Sequence, residues 1–270
     1  MFRSFFEMKK VPFSRDVPVS KLYESAAMHE CIARLEYAAD NQKFIVVTAD
    51  AGCGKSTVVR KLAASLPRDE YVVMYLSDSN LTPRWFYKGM LDQLGVEARF
   101  YRGDSKRLLQ HEIEALRGRN KKVICILDEA HLLEKETLEE FRFLLNTEYD
   151  SFSPMALALV GQTELWDKLK ASRYDAITDR IDQVCTLPHL DRSETEAYIS
   201  AHLAYAGGRS DIFTDAALDT IYKASGGVER RINRICEKSL MYAAQQNKRL
   251  IDDRLVDYVL EHEMPVRRSI

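Results

Sequence analysis

The chain has 270 residues, 39 Lys+Arg against 41 Asp+Glu for a net charge of −2, 46% hydrophobic and 30% charged residues, and a mean hydropathy of −0.31. A chain of this length holds about two domains and buries a sizeable core without staples, which excludes disulfide scaffolds and disordered chains. The near-neutral balance excludes a wholesale basic nucleic-acid binder but is compatible with a local basic patch.

Cys31, Cys53, Cys125, Cys185 and Cys236 are odd in number, scattered and without a C-x-x-C pair. Such usage suggests neither a zinc site nor a disulfide framework and fits a reducing cytoplasm. The opening residues, MFRSFFEMKK, lack the apolar stretch of about 7 to 15 residues that a signal peptide needs. Apolar runs such as 155–160 are too short to span a bilayer. The expectation is a cytoplasmic protein with no membrane partner.

In chain order, apolar runs at 44–47 (FIVV), Tyr71–Leu76 (YVVMYL), 123–127 (VICIL) and 155–160 (MALALV) alternate with helical patterns. Runs without polar alternation are what strands buried on both faces look like, and helices between them imply parallel crossovers. This predicts a doubly wound α/β domain. A further short strand is expected at 183–187, ending at Pro188, which cannot donate to a ladder.

Directly after the first run comes Ala49-Asp50-Ala51-Gly52-Cys53-Gly54-Lys55-Ser56-Thr57, followed by a helical pattern. Phosphate binding needs this order: glycines let the backbone wrap the anion, amides at a helix N-terminus face it, Lys55 reaches the β/γ oxygens, and Ser56 can hold Mg²⁺. The loop departs from G-x-x-x-x-G-K-[ST] only at Ala49. Asp50 to Thr57 are therefore the expected nucleotide-binding residues, with ATP and Mg²⁺ as cofactors.

The third run ends in Asp128-Glu129-Ala130-His131. Beside a phosphate loop, Asp128 can hold Mg²⁺ through water and Glu129 can orient or deprotonate the attacking water. The letters DEAH also occur in a helicase family, but such helicases need a second motor domain, and the chain beyond His131 is mostly helical in pattern. The fourth run leads into Gly161-Gln162-Thr163-Glu164-Leu165. Gln162 can sense the γ-phosphate, position water or serve the turn.

After Pro188 strand-like runs give way to capped helices. Ser193-Glu194-Thr195-Glu196 has the pattern of a capping box, and its helix is expected to stop at Gly207-Gly208. Thr214 or Asp215 opens the next helix, closed by Gly226-Gly227. Stripes through Ile232, Ile235, Cys236 and Leu240, and through Leu255, Val256, Val259 and Leu260, predict two more.

The loop at 44–57, the stretch 125–131, FRFLLNTEYD at 141–150, LVGQTEL at 159–165, Asp179-Arg180-Ile181, ETEAYI at 194–199 and GVERRIN at 227–233 occur in the order seen in AAA+ ATPases of the ExeA and TnsC type. With Phe5-Phe6 and Val11-Pro12-Phe13 at the start, nearly the whole chain resembles this group of secretion-pathway ATPases and transposition regulators. The resemblance implies a P-loop AAA+ core, a parallel sheet sandwiched by helices, followed by a small all-helical lid. The expected division is 1–38 for a leading segment and first helix, 39–188 for the core, 189–263 for the lid and 264–270 for a tail.

The resemblance further implies self-assembly as a ring or helical filament with ATP at subunit interfaces. Catalytic roles then fall to Glu129, to Gln162 as sensor 1, to Arg180 as a finger for the neighbour's ATP and to Arg230 as sensor 2. Glu229 stands where the family has proline before that arginine. A surface salt bridge is the competing reading of both arginines, with Arg231 a rival for the lid position. In related rings the inner face is built from elements between the second strand and the Asp128 strand, which makes Thr82, Arg84, Arg102 and Lys106 the expected DNA contacts, against the alternative of ordinary solvated charges.

Secretion proteins of the group carry a membrane segment and a wall-binding module after the ATPase, whereas this sequence is expected to close with its lid. The favoured expectation is an assembly on double-stranded DNA that recruits or regulates a transposase and is released on hydrolysis. The alternatives are a secretion-pathway ATPase and an ATP-gated scaffold with little turnover.

Overall fold

The computed structural model describes residues 2–78, 81–145 and 153–264. Residues 146–150 of the family-like stretch and the tail from 265 onward lie outside the described residues. In chain order the first elements are α1 (Phe2–Phe5), α2 (Ala26–Asn41), β1 (Phe44–Thr48), α3 (Lys55–Ser65), β2 (Tyr71–Leu76), α4 (Pro83–Gln93), α5 (Arg102–Gly118) and β3 (Lys122–Leu127). They are followed by α6 (Lys135–Leu144), β4 (Ala156–Gly161), α7 (Glu164–Leu169), α8 (Asp175–Thr178) and β5 (Gln183–Thr186). The last are α9 (Arg192–Ala206), α10 (Asp215–Ser225), α11 (Glu229–Gln245) and α12 (Asp253–His262).

The apolar runs become one five-stranded sheet in the order β2-β3-β4-β1-β5, with every pairing parallel. Central β1 and β4 are buried along their whole length and β3 along all but its first residue. β2 departs from the expectation of burial on both faces: it is an edge strand, and Tyr75 is 40% exposed. Tyr71–Leu76 is as apolar as the central runs, so the edge position follows from chain connectivity rather than hydropathy.

Parallel pairing brings Thr48 level with Gly161, and Leu127 level with Leu159. The loops after β1, β3 and β4 therefore leave the same end of the sheet, where ligands of open α/β sheets bind. In the core of the sheet-bearing unit Phe86 packs edge-on against Phe141, ring centroids 5.2 Å apart, and Met90, Leu109 and Ile113 are buried in the same cluster. Each such side chain contributes about 1.5–3 kcal/mol on leaving water.

The chain divides into two compact units, one made of the described residues of 27–51 and 55–187, the other of 2–26, 52–54 and 188–264. The second unit is helical, with Ile199, Leu203, Ile221, Ile232, Leu240 and Val256 in its core. The amino-terminal segment belongs to it: Phe6, Met8 and Phe13 are buried there, and Lys9 N donates to Ala206 O at 2.8 Å. His202 accepts from Phe13 N at 3.1 Å and stacks on that ring, and burial pushes its imidazole down to about 4.

The capping box forms two residues earlier than expected. Asp191 caps α9, accepting from Glu194 N at 2.8 Å while Glu194 Oε2 accepts from Asp191 N at 3.1 Å. Asp191 takes the place of Ser193 because a carboxylate accepts the orphan amide more strongly than a hydroxyl does; Ser193 Oγ instead donates to Asp191. Helices α9 and α10 end at Gly207 and Gly226, as expected. No described helix is long and apolar enough to cross a membrane.

Candidate functional site

The loop between β1 and α3 is shaped by its glycines. Gly52 has φ 93° and Gly54 φ 76°, conformations that side chains strongly disfavour. A Cβ on Gly52 would also meet Arg230 Cβ at 2.7 Å, and Gly52 O accepts from Arg230 N at 3.2 Å. Ala49, the departure from the motif, does not adopt positive φ, is fully buried and donates from its N to Gly161 O at 3.2 Å. An alanine methyl there strains nothing.

Lys55 opens α3 as a buried residue, its Nζ donating to Ala49 O at 2.8 Å and Asp50 O at 3.0 Å. Ser56 is exposed and Thr57 half-buried in the same first turn. Asp50 and Ala51 are exposed, and Cys53 is buried. Asp50 Oδ1 accepts from Thr163 Oγ1 at 2.8 Å, tying the loop to the residues after β4.

After β3, buried Asp128 is held by two donors. Tyr75 Oη donates to Oδ2 at 2.7 Å and Glu129 N to Oδ1 at 2.8 Å. Burial, then the bond to Asp128, pushes the Tyr75 phenol up to about 12, which keeps it a donor. Glu129 takes the left-handed conformation, φ 53°, with its side chain 44% exposed. A non-glycine residue with φ in this region costs about 1–3 kcal/mol and persists where surroundings enforce it, often at functional sites. His131 Nδ1 lies 3.6 Å from Glu129 Oε2, and His131 Nε2 lies 3.0 Å from Gln162 Nε2.

The structure thus brings Asp50 to Thr163, and His131 to both Glu129 and Gln162. Arg180 is half-buried in the turn between α8 and β5. Arg230 is the second residue of α11, exposed, with its backbone on Gly52. Thr82 caps α4, accepting from Trp85 N at 3.5 Å. Arg84 lies over the Phe100 ring, 5.2 Å from its centroid. Arg102 pairs with Glu136 at 2.9 Å and Lys106 with Glu140 at 3.7 Å.

Tyr75, His131 and Thr163 escaped the sequence reading. The letter of His131 was visible in DEAH, but its ring partner came from another strand. Tyr75 looked like one more apolar residue of a buried run.

The residue set fits a nucleotide triphosphate with Mg²⁺: two positive-φ glycines, a buried ammonium held on carbonyls, a hydroxyl in the first helical turn and a carboxylate fixed at the strand end. Fold and loop together define a P-loop nucleotide-binding protein of the AAA+ class. An AAA domain family model matches residues 38–169. General secretion pathway protein A of Aeromonas hydrophila is 31% identical over 249 residues, covering 90% of this chain and 45% of that protein. The chain therefore spans less than half the length of that relative.

Among solved structures, ORC2 of Aeropyrum pernix has a TM-score of 0.69 at 14% identity, covering 99% of this chain and 72% of the other. The Drosophila ORC bound to DNA gives 0.64 at 19% identity, with 98% and 65% covered. RuvB, the Holliday junction branch migration motor of Thermotoga maritima, gives 0.57 at 17% identity, with 87% and 67% covered. These three share the fold. The chain is thus similar to AAA+ proteins of the ExeA type, with an AAA domain matched over residues 38–169.

Proposed function

We propose that the chain is a Mg²⁺-dependent ATPase whose site is completed by a second copy, and that it works on double-stranded DNA as an ATP-controlled helper of a transposase. The observation that carries the hydrolytic part is the convergence at one sheet end of Lys55, the doubly held Asp128, half-exposed Glu129 and Gln162.

Bound Mg²⁺ would neutralise charge developing on the phosphates. Ser56 and Asp128 would hold that ion, and Lys55, whose Nζ now donates to Ala49 O and Asp50 O, would turn to the phosphate oxygens. Glu129 is exposed enough to accept a proton from water. Gln162 supplies an amide donor. Arg180, from a neighbouring copy in a ring or filament, offsets negative charge in the transition state, and Arg230 answers the nucleotide from the lid. This reading takes 39–188 as the ATPase core and 189–263 as the lid.

The DNA part is supported by the α4–α5 surface, where Arg84 lies over Phe100, Lys88 lies 5.5 Å from the Trp85 centroid, and Trp85, Phe100 and Tyr101 are more than half exposed. Thr82, Arg84, Arg102 and Lys106 are the proposed phosphate contacts. The transposase follows from the likeness to TnsC-type regulators. A second reading, a secretion-pathway ATPase, is favoured by the identity to the Aeromonas protein.

Steady-state hydrolysis with and without duplex DNA separates the readings. Salt-sensitive stimulation of several-fold supports the DNA-bound helper, and turnover indifferent to DNA supports the secretion reading. Tight ATP binding with negligible turnover would leave a nucleotide-gated scaffold instead.

A further inference from the structure

The cysteines are scattered in sequence, yet the fold brings two of them together. Cys31 is fully buried and lies on the inner face of α2 with Met28, Ile32 and Leu35. Cys185 is the buried residue of β5 and keeps 8% exposure. Residues three apart share a helix face, and three residues after Cys31 the Arg34 Nη1 donates to Val184 O at 3.2 Å. That bond seats this stretch of α2 on the edge strand, beside Cys185. The two thiols share a hydrogen bond.

Their surroundings decide which sulfur reacts. The bond from Cys31 holds the Cys185 thiol below its ordinary range against the opposing effect of burial, and the Arg34 guanidinium acts in the same direction. Arg34 is itself anchored by an ion pair with Glu30. The same thiol–thiol bond, then burial, pushes Cys31 up. The thiolate is the reactive form, so Cys185 is the nucleophile, and it is also the sulfur of the pair that solvent touches. Cys125 and Cys236 stand in contrast: each lies in an apolar cluster, and burial pushes both thiols up.

We propose that Cys31 and Cys185 form a reversible oxidation site, a dithiol that hydrogen peroxide converts to a disulfide joining α2 to β5. The Cys185 thiolate attacks the O–O bond and becomes a sulfenic acid, while the hydroxide released takes up the proton that Cys185 had given up and leaves as water. The Cys31 sulfur then attacks that sulfur. An S–S bond forms, the S–O bond breaks, and the Cys31 proton departs with the oxygen as a second water. Two thiols are oxidised and one peroxide is reduced. A thiol reductant reverses the change by exchange.

The test is a peroxide titration of the full reduced chain, with free thiols counted after unfolding. The expected result is a fall from five thiols by two, a loss of two hydrogens in the intact mass, a Cys31–Cys185 link in the unreduced peptide map, and recovery with dithiothreitol. Cys185→Ser should abolish the loss at the same dose. Cys31→Ser should leave a sulfenic acid at Cys185, trapped by dimedone; Cys31→Ala, which puts no polar atom in the core, gives the same reading where serine unfolds the chain.

Five thiols retained at a dose that oxidises free cysteine overturn the proposal, as does a disulfide joining any other pair. The oxidised chain should also melt several degrees above the reduced one, because the bond restricts the unfolded chain between residues 31 and 185. Melting below the reduced chain would mean that the bond distorts the native contact, and would overturn the site.

Discussion

At the carboxyl end of the sheet the polar side chains are held by one another, whereas on α4 and α5 the cations lie over exposed rings or against the acids of α6. Asp128 accepts two hydrogen bonds of 2.7 and 2.8 Å, and Lys55 is buried on its own loop. Arg102, by contrast, has a side chain 49% exposed and a Glu136 partner that is 71% exposed. The first region has the fixed polar arrangement that the proposed hydrolysis would use. The exposed contacts of the second, such as Arg102–Glu136, are worth little in water and easily exchanged for phosphate, whereas Lys106 lies against the buried Glu140.

The sharpest test of this contrast is Arg180, which the account places in the hydrolytic machinery but on a neighbour's site. Arg180→Ala should cut hydrolysis about a thousandfold, the scale of a finger arginine, while nucleotide binding stays near wild type. Mixing it with Lys55→Ala subunits should restore roughly a quarter of the wild-type rate, the share of junctions pairing an intact loop with an intact finger. Recovery is read by phosphate release; none on mixing would break the shared-site half of the comparison.

Arg102 and Lys106 probe the other region. Replacing both by Ala should weaken duplex binding and flatten the dependence of log affinity on log salt by about 2, near 0.9 per lost phosphate contact. Nucleotide affinity should not change. An unchanged slope in a filter or anisotropy titration would mean that Glu136 and Glu140 keep these cations, and would move the contact to Arg84 and its ring or to the arginines of α11.

A smaller effect is expected at Thr82, whose hydroxyl already caps α4. Thr82→Ala should cost about 1 kcal/mol of stability, the usual worth of such a cap, and lower DNA affinity only slightly. Thermal unfolding and DNA titration of the same variant give both numbers. A large loss of DNA binding with unaltered stability would show the hydroxyl serving DNA rather than the helix.

The two regions also differed in how far they could be read from residues alone. Gly52, Gly54, Lys55, Asp128 and Glu129 were legible because phosphate and metal chemistry demand fixed residue types at fixed spacing, next to strands whose apolar runs are unbroken. His131 was not, because its partners, Glu129 and Gln162, are joined only by the register of β3 against β4. Nor was the edge position of β2, or the burial of Phe6, Met8 and Phe13 in the helical unit, since each depends on contacts distant in sequence. The exposure of Phe100 and Tyr101 was equally hidden: aromatic residues are expected inside, and nothing local marks these two as surface rings.

The central claim, that the groups gathered at the strand ends hydrolyse ATP, is tested most directly by phosphate release and nucleotide binding measured side by side on the wild type, Glu129→Gln and Lys55→Ala. The account predicts steady turnover in the wild type, a loss of about a hundredfold or more in Glu129→Gln with binding retained, and loss of binding itself in Lys55→Ala. Wild-type turnover in Glu129→Gln, or full nucleotide affinity in Lys55→Ala, would contradict it.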